Sequence, residues 1–150
     1  MTLAGMTAEE TKQYNTEHCR RIAERLEAVA SGQVWRCEEC GEEFDELEGG
    51  DEWDGETCPH CGAADCFEQV GMYDWLDDAL DYTFTMDSKG RMLGARVMVA
   101  CGGPNIYVDT MREEVQLYWW ADRADWGLSG DACDELDACL EGYFEMAKEC

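Results

Sequence analysis

A chain of 150 residues, 45% of them apolar, can bury one ordinary core and a small satellite, and falls short of two full domains. Its net charge of −24, from 35 acidic against 11 basic residues, works against direct binding of DNA, RNA or an anionic membrane. Met1 to Glu10 has neither a basic start nor a long apolar run, and no stretch reaches the ~18 consecutive apolar residues of a membrane span, so the ten cysteines are expected in a reducing cytoplasm.

The first element should be a helix opening on the capping box Thr7 and Glu10 and closing at Ser31-Gly32, with Tyr14, His18, Ile22, Leu26 and Val29 as its apolar stripe. This segment is electrically neutral: Met1 to Arg36 holds five acids and five bases, and Lys12, Arg20, Arg21 and Arg25 are placed to pair with acids further on. Cys37 to Ser88 then carries eighteen acids and no Lys or Arg. Eighteen phosphates occupy about 31 Å of duplex axis at about 1.7 Å per charge. A folded chain of this length has a radius of gyration of roughly 15 Å. The segment therefore carries a charge comparable to nucleic acid of the protein's own size.

Val34 to Arg36 reads as a short strand entering a first knuckle at Cys37, Cys40 and Gly41; a second follows at Cys58, Cys61 and Gly62, with seventeen residues between Cys40 and Cys58. Two such pairs close a tetrahedral four-sulfur site with no open coordination position, so the expected cofactor is structural Zn²⁺, with iron as the alternative metal and His60 and Cys66 as bystanders. Residues 34–66 resemble the zinc-ribbon family at Cys37, Cys40, Cys58 and Cys61 and depart from it in the acidic connecting loop. Many zinc ribbons bind nucleic acid or its machinery, a role that the missing bases disfavour here. Asp51, Asp54 and Gly55 lack the ligand spacing and closing Glu of a calcium loop.

From Met72 the spacing predicts a helix with Met72, Leu76, Ala79 and Leu80 on one face and Asp74, Asp77, Asp78 and Asp81 on the other. Four strands follow: Tyr82 to Met86, Arg96 to Cys101, Ile106 to Thr110 and Val115 to Trp120, joined by turns at Ser88-Lys89-Gly90 and Gly102 to Asn105. A last helix from near Asp131 buries Cys133, Leu136, Leu140, Tyr143 or Phe144, and Ala147. The remaining cysteines, including Cys101 at a strand end, read as small buried hydrophobes. Of Trp119 and Trp120, one should be core and the other either core cover or an exposed anchor. The fold expected is α+β: a four-stranded antiparallel meander flanked by helices, with residues 1–32 as an N-terminal helix, 33–70 as an inserted zinc ribbon and 71–150 as the main domain.

Only His18 and His60 are available for acid–base chemistry, and the expectation is a protein that is not an enzyme. Arg96 to Thr110 and Leu117 to Trp120 resemble segments of small acidic proteins carried by bacterial mobile elements and phages; this resemblance implies an anti-defence role and transfers no catalytic residue. The expected partner is thus a basic protein that normally holds nucleic acid, such as a nuclease or a restriction or CRISPR effector, mimicked by carboxylates in place of phosphates. One acidic row is Asp74, Asp77, Asp78 and Asp81; the other is Glu42, Glu43, Asp45, Glu46, Asp51, Glu52 and Asp54 on the ribbon loop. The alternative is a structural or regulatory ribbon module that docks on a protein complex through a tryptophan-rich surface.

Overall fold

The computed structural model describes residues 5–46 and 53–149. Helix α1 (Ala8–Ala30) begins as its sequence dictates: the Glu10 N–H donates to the Thr7 hydroxyl at 3.1 Å and the Thr7 N–H donates to the Glu10 carboxylate at 2.8 Å. It stops at Ser31, where Gly32 takes the left-handed φ of 72°. The buried face is rotated from the predicted stripe. Thr11, Asn15, Cys19, Ala23, Leu26 and Val29 point inward, whereas Tyr14 is 49% exposed. The small Cys19 and Ala23 side chains allow the helix to lie close against a sheet, and close approach outweighs the larger apolar volume of Tyr14 and Ile22.

A small three-stranded sheet follows, with β1 (Val34–Cys37) flanked on both sides by antiparallel partners, β2 (Glu43–Asp45) and β3 (Phe67–Gln69). The next helix, α2 (Met72–Asp77), is only six residues long. Asp78 caps it, the Leu80 N–H donates to the Met98 carbonyl, and Asp81 already belongs to the first strand of the main sheet. The alternating Tyr82, Thr83, Phe84 and Thr85 claim their preceding residues for the sheet, so the predicted helical face of four aspartates does not form and Leu80 stands exposed.

The main sheet is an antiparallel meander in simple order: β4 (Asp81–Met86), β5 (Met92–Ala100), β6 (Asn105–Asp109), β7 (Glu114–Trp119) and β8 (Asp122–Gly127). It has five strands where four were expected. The fifth, Asp122-Arg-Ala-Asp-Trp-Gly, carries two aspartates and an arginine, a composition that reads as loop yet suits an edge strand guarded against pairing with other chains. Ala124 packs into the core beside Leu117, and the turn before it holds Trp120 at a φ of 54°, 75% exposed. Trp119 is half-buried and packs over Gly103, where an added Cβ would come within 2.7 Å of its ring. Cys101, expected to be buried, is exposed in the β5–β6 turn, because the core-facing register of β5 ends before it.

Helix α3 (Gly130–Lys148) completes the fold and buries Cys133, Leu136, Leu140 and Phe144, leaving Ala147 outside. It lies against β5 while α1 lies against β7 and β8, so both helices cover one face of the sheet. Their seam is tied by Glu27, whose carboxylate accepts the Ser129 N–H at 2.6 Å and the Ser129 hydroxyl at 2.8 Å. The principal core lies between these layers and includes Leu26, Val97, Ile106, Val108, Leu117 and Leu140. A second, separate cluster of Cys37, Phe44 and Cys58 lies within the small sheet.

Asp137 on α3 is half-buried, and its Oδ1 is enclosed with no hydrogen-bond partner. Burial pushes its carboxyl above the usual range; a Thr110 hydrogen bond opposes this shift, and Asp134 and Glu141 add to it. The folded state therefore holds the proton more tightly than the unfolded chain, and stability falls as pH rises from the ordinary carboxylate value through the raised one. Asp137→Asn is expected to gain about 1 kcal/mol near neutral pH, with the gain vanishing on acidification below about pH 4, as read by denaturant melts across pH.

Candidate metal centre

The two knuckles arrange Cys37, Cys40, Cys58 and Cys61 so that all four sulfurs lie within 4.8 Å of one another. Each knuckle is closed by a backbone hydrogen bond, Gly41 N–H to the Cys37 carbonyl at 2.8 Å and Gly62 N–H to the Cys58 carbonyl at 3.0 Å. The glycines sit at φ of 75° and 78°, where a side chain would be strained. Across the site, Cys37 Sγ is 3.7 Å from Cys61 Sγ and Cys40 Sγ is 3.8 Å from Cys58 Sγ. A tetrahedron with Zn–S bonds of about 2.3 Å has edges of about 3.8 Å. The donor set and its spacing thus fit one tetrahedral divalent ion.

Backbone N–H groups favour the thiolate form of one cysteine in each knuckle. The Cys40 and Glu39 N–H groups bring the Cys37 thiol down to about 6. At Cys58 burial acts the other way, but the Cys61 and His60 N–H groups, each 3.4 Å from the sulfur, leave its pKa lowered. The Glu42 N–H favours the Cys40 thiolate, yet burial and the three neighbouring sulfurs push Cys40 up to about 12. Cys61 is likewise raised, against the Ala63 N–H, by burial and by Cys58 and Cys37. Four thiolates require a cation among them.

Cys66, read as a bystander, stands beside Cys37 at 3.9 Å between sulfurs and outside the quartet; His60 meets Cys58 only through its backbone. The metal knuckles are roofed by aromatic rings. Phe44 meets Trp53 edge-on at 5.0 Å and Phe67 at 5.8 Å, and Trp35 lies 5.6 Å from Trp53. The Trp35 indole N–H donates to Glu46 at 2.7 Å and that of Trp53 to the Thr57 carbonyl at 2.8 Å. This aromatic packing was missed in the sequence, although Trp35, Phe44, Trp53 and Phe67 all flank the knuckles and offer a signal of their own.

The acids expected as a partner surface divide into two groups. Glu43 is paired with Arg25 and Arg36, the latter at 2.9 Å, and Asp74 accepts the Gly71 N–H at 2.8 Å with Arg36 at 3.8 Å. Glu46 is held by Trp35, and Asp54 accepts the Glu56 and Thr57 N–H groups, which hold its carboxyl below the usual range. Asp45 is half-buried in β2, and Asp51 and Glu52 lie outside the described residues. Glu42, Asp77, Asp78 and Asp81 are exposed, as are Glu38, Glu39, Glu56 and Asp65 around the knuckles, which the sequence reading did not single out. Among the described residues no helix is long and apolar enough to cross a membrane. No family model, curated protein or solved structure matches the chain.

Proposed function

We propose that the chain is a zinc-stabilised interaction protein that binds a basic, nucleic-acid-binding protein and presents carboxylates where that partner holds phosphates. The observation that carries this reading is the run of eighteen acids without a base between Cys37 and Ser88. Arg25 and Arg36 reach back to neutralise Glu43, Glu68 and Asp74, while Glu38, Glu39, Glu42, Asp77, Asp78 and Asp81 stay exposed around the ribbon and α2. The face is thus a shell of separate carboxylates on rigid turns, in place of a single helical row. Zn²⁺ shapes the scaffold, and four thiolates around one ion add two further negative charges.

Immobilised protein, exposed to lysate of its host cell and eluted along a salt gradient, is expected to release a basic nucleic-acid-binding protein at moderate salt. Changing Glu38, Glu39 and Glu42 to Gln and Asp77, Asp78 and Asp81 to Asn should weaken that complex at least about tenfold and flatten its salt dependence. A complex indifferent to both salt and these changes refutes the mimicry. Docking through tryptophan is the second reading, favoured by Trp120 at the tip of the β7–β8 hairpin; Trp120→Ala would then weaken the complex more than the acidic changes do.

A further inference from the structure

A cleft of about 490 Å³ opens between α1, α2 and the adjoining ends of β5 and β6, within the roughly 300–1,000 Å³ typical of small-molecule sites. Its inner wall is apolar, formed by Ile22, Val29, Val70, Trp75, Val99 and Ile106. One rim is unusual for so acidic a molecule. His18, Arg21 and Arg25 follow one another at i, i+3 and i+7 on α1 and so share one face of the helix.

The charges at this rim are unequal in availability. Arg25 is held by Glu43, and across the cleft Asp74 is engaged by the Gly71 N–H and Arg36. Arg21 is exposed and has no ion pair among the described residues. Burial, with Arg21 adding to it, lowers the pKa of His18, so its imidazole offers a neutral hydrogen bond near pH 7. Asp78 faces this pair from the α2 side and opposes a second negative charge.

From this combination we infer that the cleft binds a small amphiphilic organic monoanion, its apolar body against Ile22, Val99 and Ile106 and its acidic head at Arg21 and His18. A polyanion such as a nucleotide is disfavoured by Asp78 and by the overall charge. The cleft adjoins the partner surface proposed above and shares Asp78 with it, but its recognition of an anion does not rest on that reading.

The test uses the full zinc-loaded chain and two fluorescent probes that differ by one group: 8-anilinonaphthalene-1-sulfonate and its uncharged parent N-phenyl-1-naphthylamine. The sulfonate is expected to saturate at one molecule per chain and to be displaced by decanoate but not by inorganic phosphate. Arg21→Gln, at an exposed position outside the core, should weaken the sulfonate about tenfold and leave the uncharged probe unchanged. Binding that fails to saturate at one per chain, or an Arg21→Gln variant that affects both probes equally or neither, overturns the inference. Should that variant fold poorly, the displacement experiment on the unaltered chain decides: phosphate competing as well as decanoate overturns it.

Discussion

Removing zinc, by chelation or by Cys58→Ser, is expected to unfold the ribbon while the five-stranded sheet and its two long helices persist. Among the described residues the ribbon's own cluster buries only Cys37, Phe44 and Cys58, and its three strands span three or four residues each. Such a module is below the size at which apolar burial alone sustains a fold. Zn²⁺ binding contributes roughly 10–16 kcal/mol in comparable structural sites, and that free energy is folding free energy. Among the described residues the principal core takes Val34 and Val70 from the ends of the small sheet but none of the knuckle positions. Native mass measurement should show one zinc per chain, lost in Cys58→Ser. Tryptophan emission should shift red as Trp35 and Trp53 lose their packing, while far-UV circular dichroism keeps its helical signal.

The same experiment has a pH signature. Because the ribbon unfolds without zinc, its four thiols then lie in the ordinary cysteine range of about 8.5 and are mostly protonated at neutral pH. Zinc uptake at pH 7 should therefore release about four protons. Each of those protons must be displaced by the metal, so zinc affinity falls steeply as pH drops. Calorimetry in buffers of different ionisation enthalpy reads the proton count. A count of zero, or zinc retained unchanged at low pH, contradicts the four-thiolate site.

Local signals in the sequence were read well. The Thr7 box, the Gly32 stop, the two C-x-x-C-G knuckles and the stripe of α3 each follow from a few neighbouring residues, and the structure places them as expected except for Ala147, which lies exposed at the end of α3. What was lost depended on tertiary context. The phase of α1 turns on how closely Cys19 and Ala23 approach the sheet, and no helical periodicity reports that distance. The aspartates from Asp74 to Asp81 do have helical spacing, but the strand that begins at Asp81 captures the last of them. The edge strand β8 is charged because it is an edge, so its composition conceals it. Within the acidic segment, long-range pairs such as Arg25 with Glu43 and Arg36 with Glu68 decide which carboxylates remain available, and only the fold brings these residues together.

Two core truncations of similar chemistry should have opposite reach. Leu117 is fully buried at the centre of β7, opposite Ala124 and Ile106, and belongs to the core shared by sheet and helices. Leu117→Ala is expected to cost about 2–5 kcal/mol, a large share of the roughly 5–15 kcal/mol that stabilises a domain, and to lower the melting of the whole sheet–helix layer. Phe44 is equally enclosed, at 1% exposure, but its neighbours are Trp53, Phe67 and the cysteine knuckles. Phe44→Ala is expected to cost about 3–5 kcal/mol, borne by the ribbon. Because that loss is set against the zinc binding energy, it should appear as earlier zinc release on chelator titration, with the main melting transition nearly unmoved. If Phe44→Ala instead lowers the main transition as far as Leu117→Ala does, the ribbon and the sheet fold as one cooperative unit, and chelation should then unfold both.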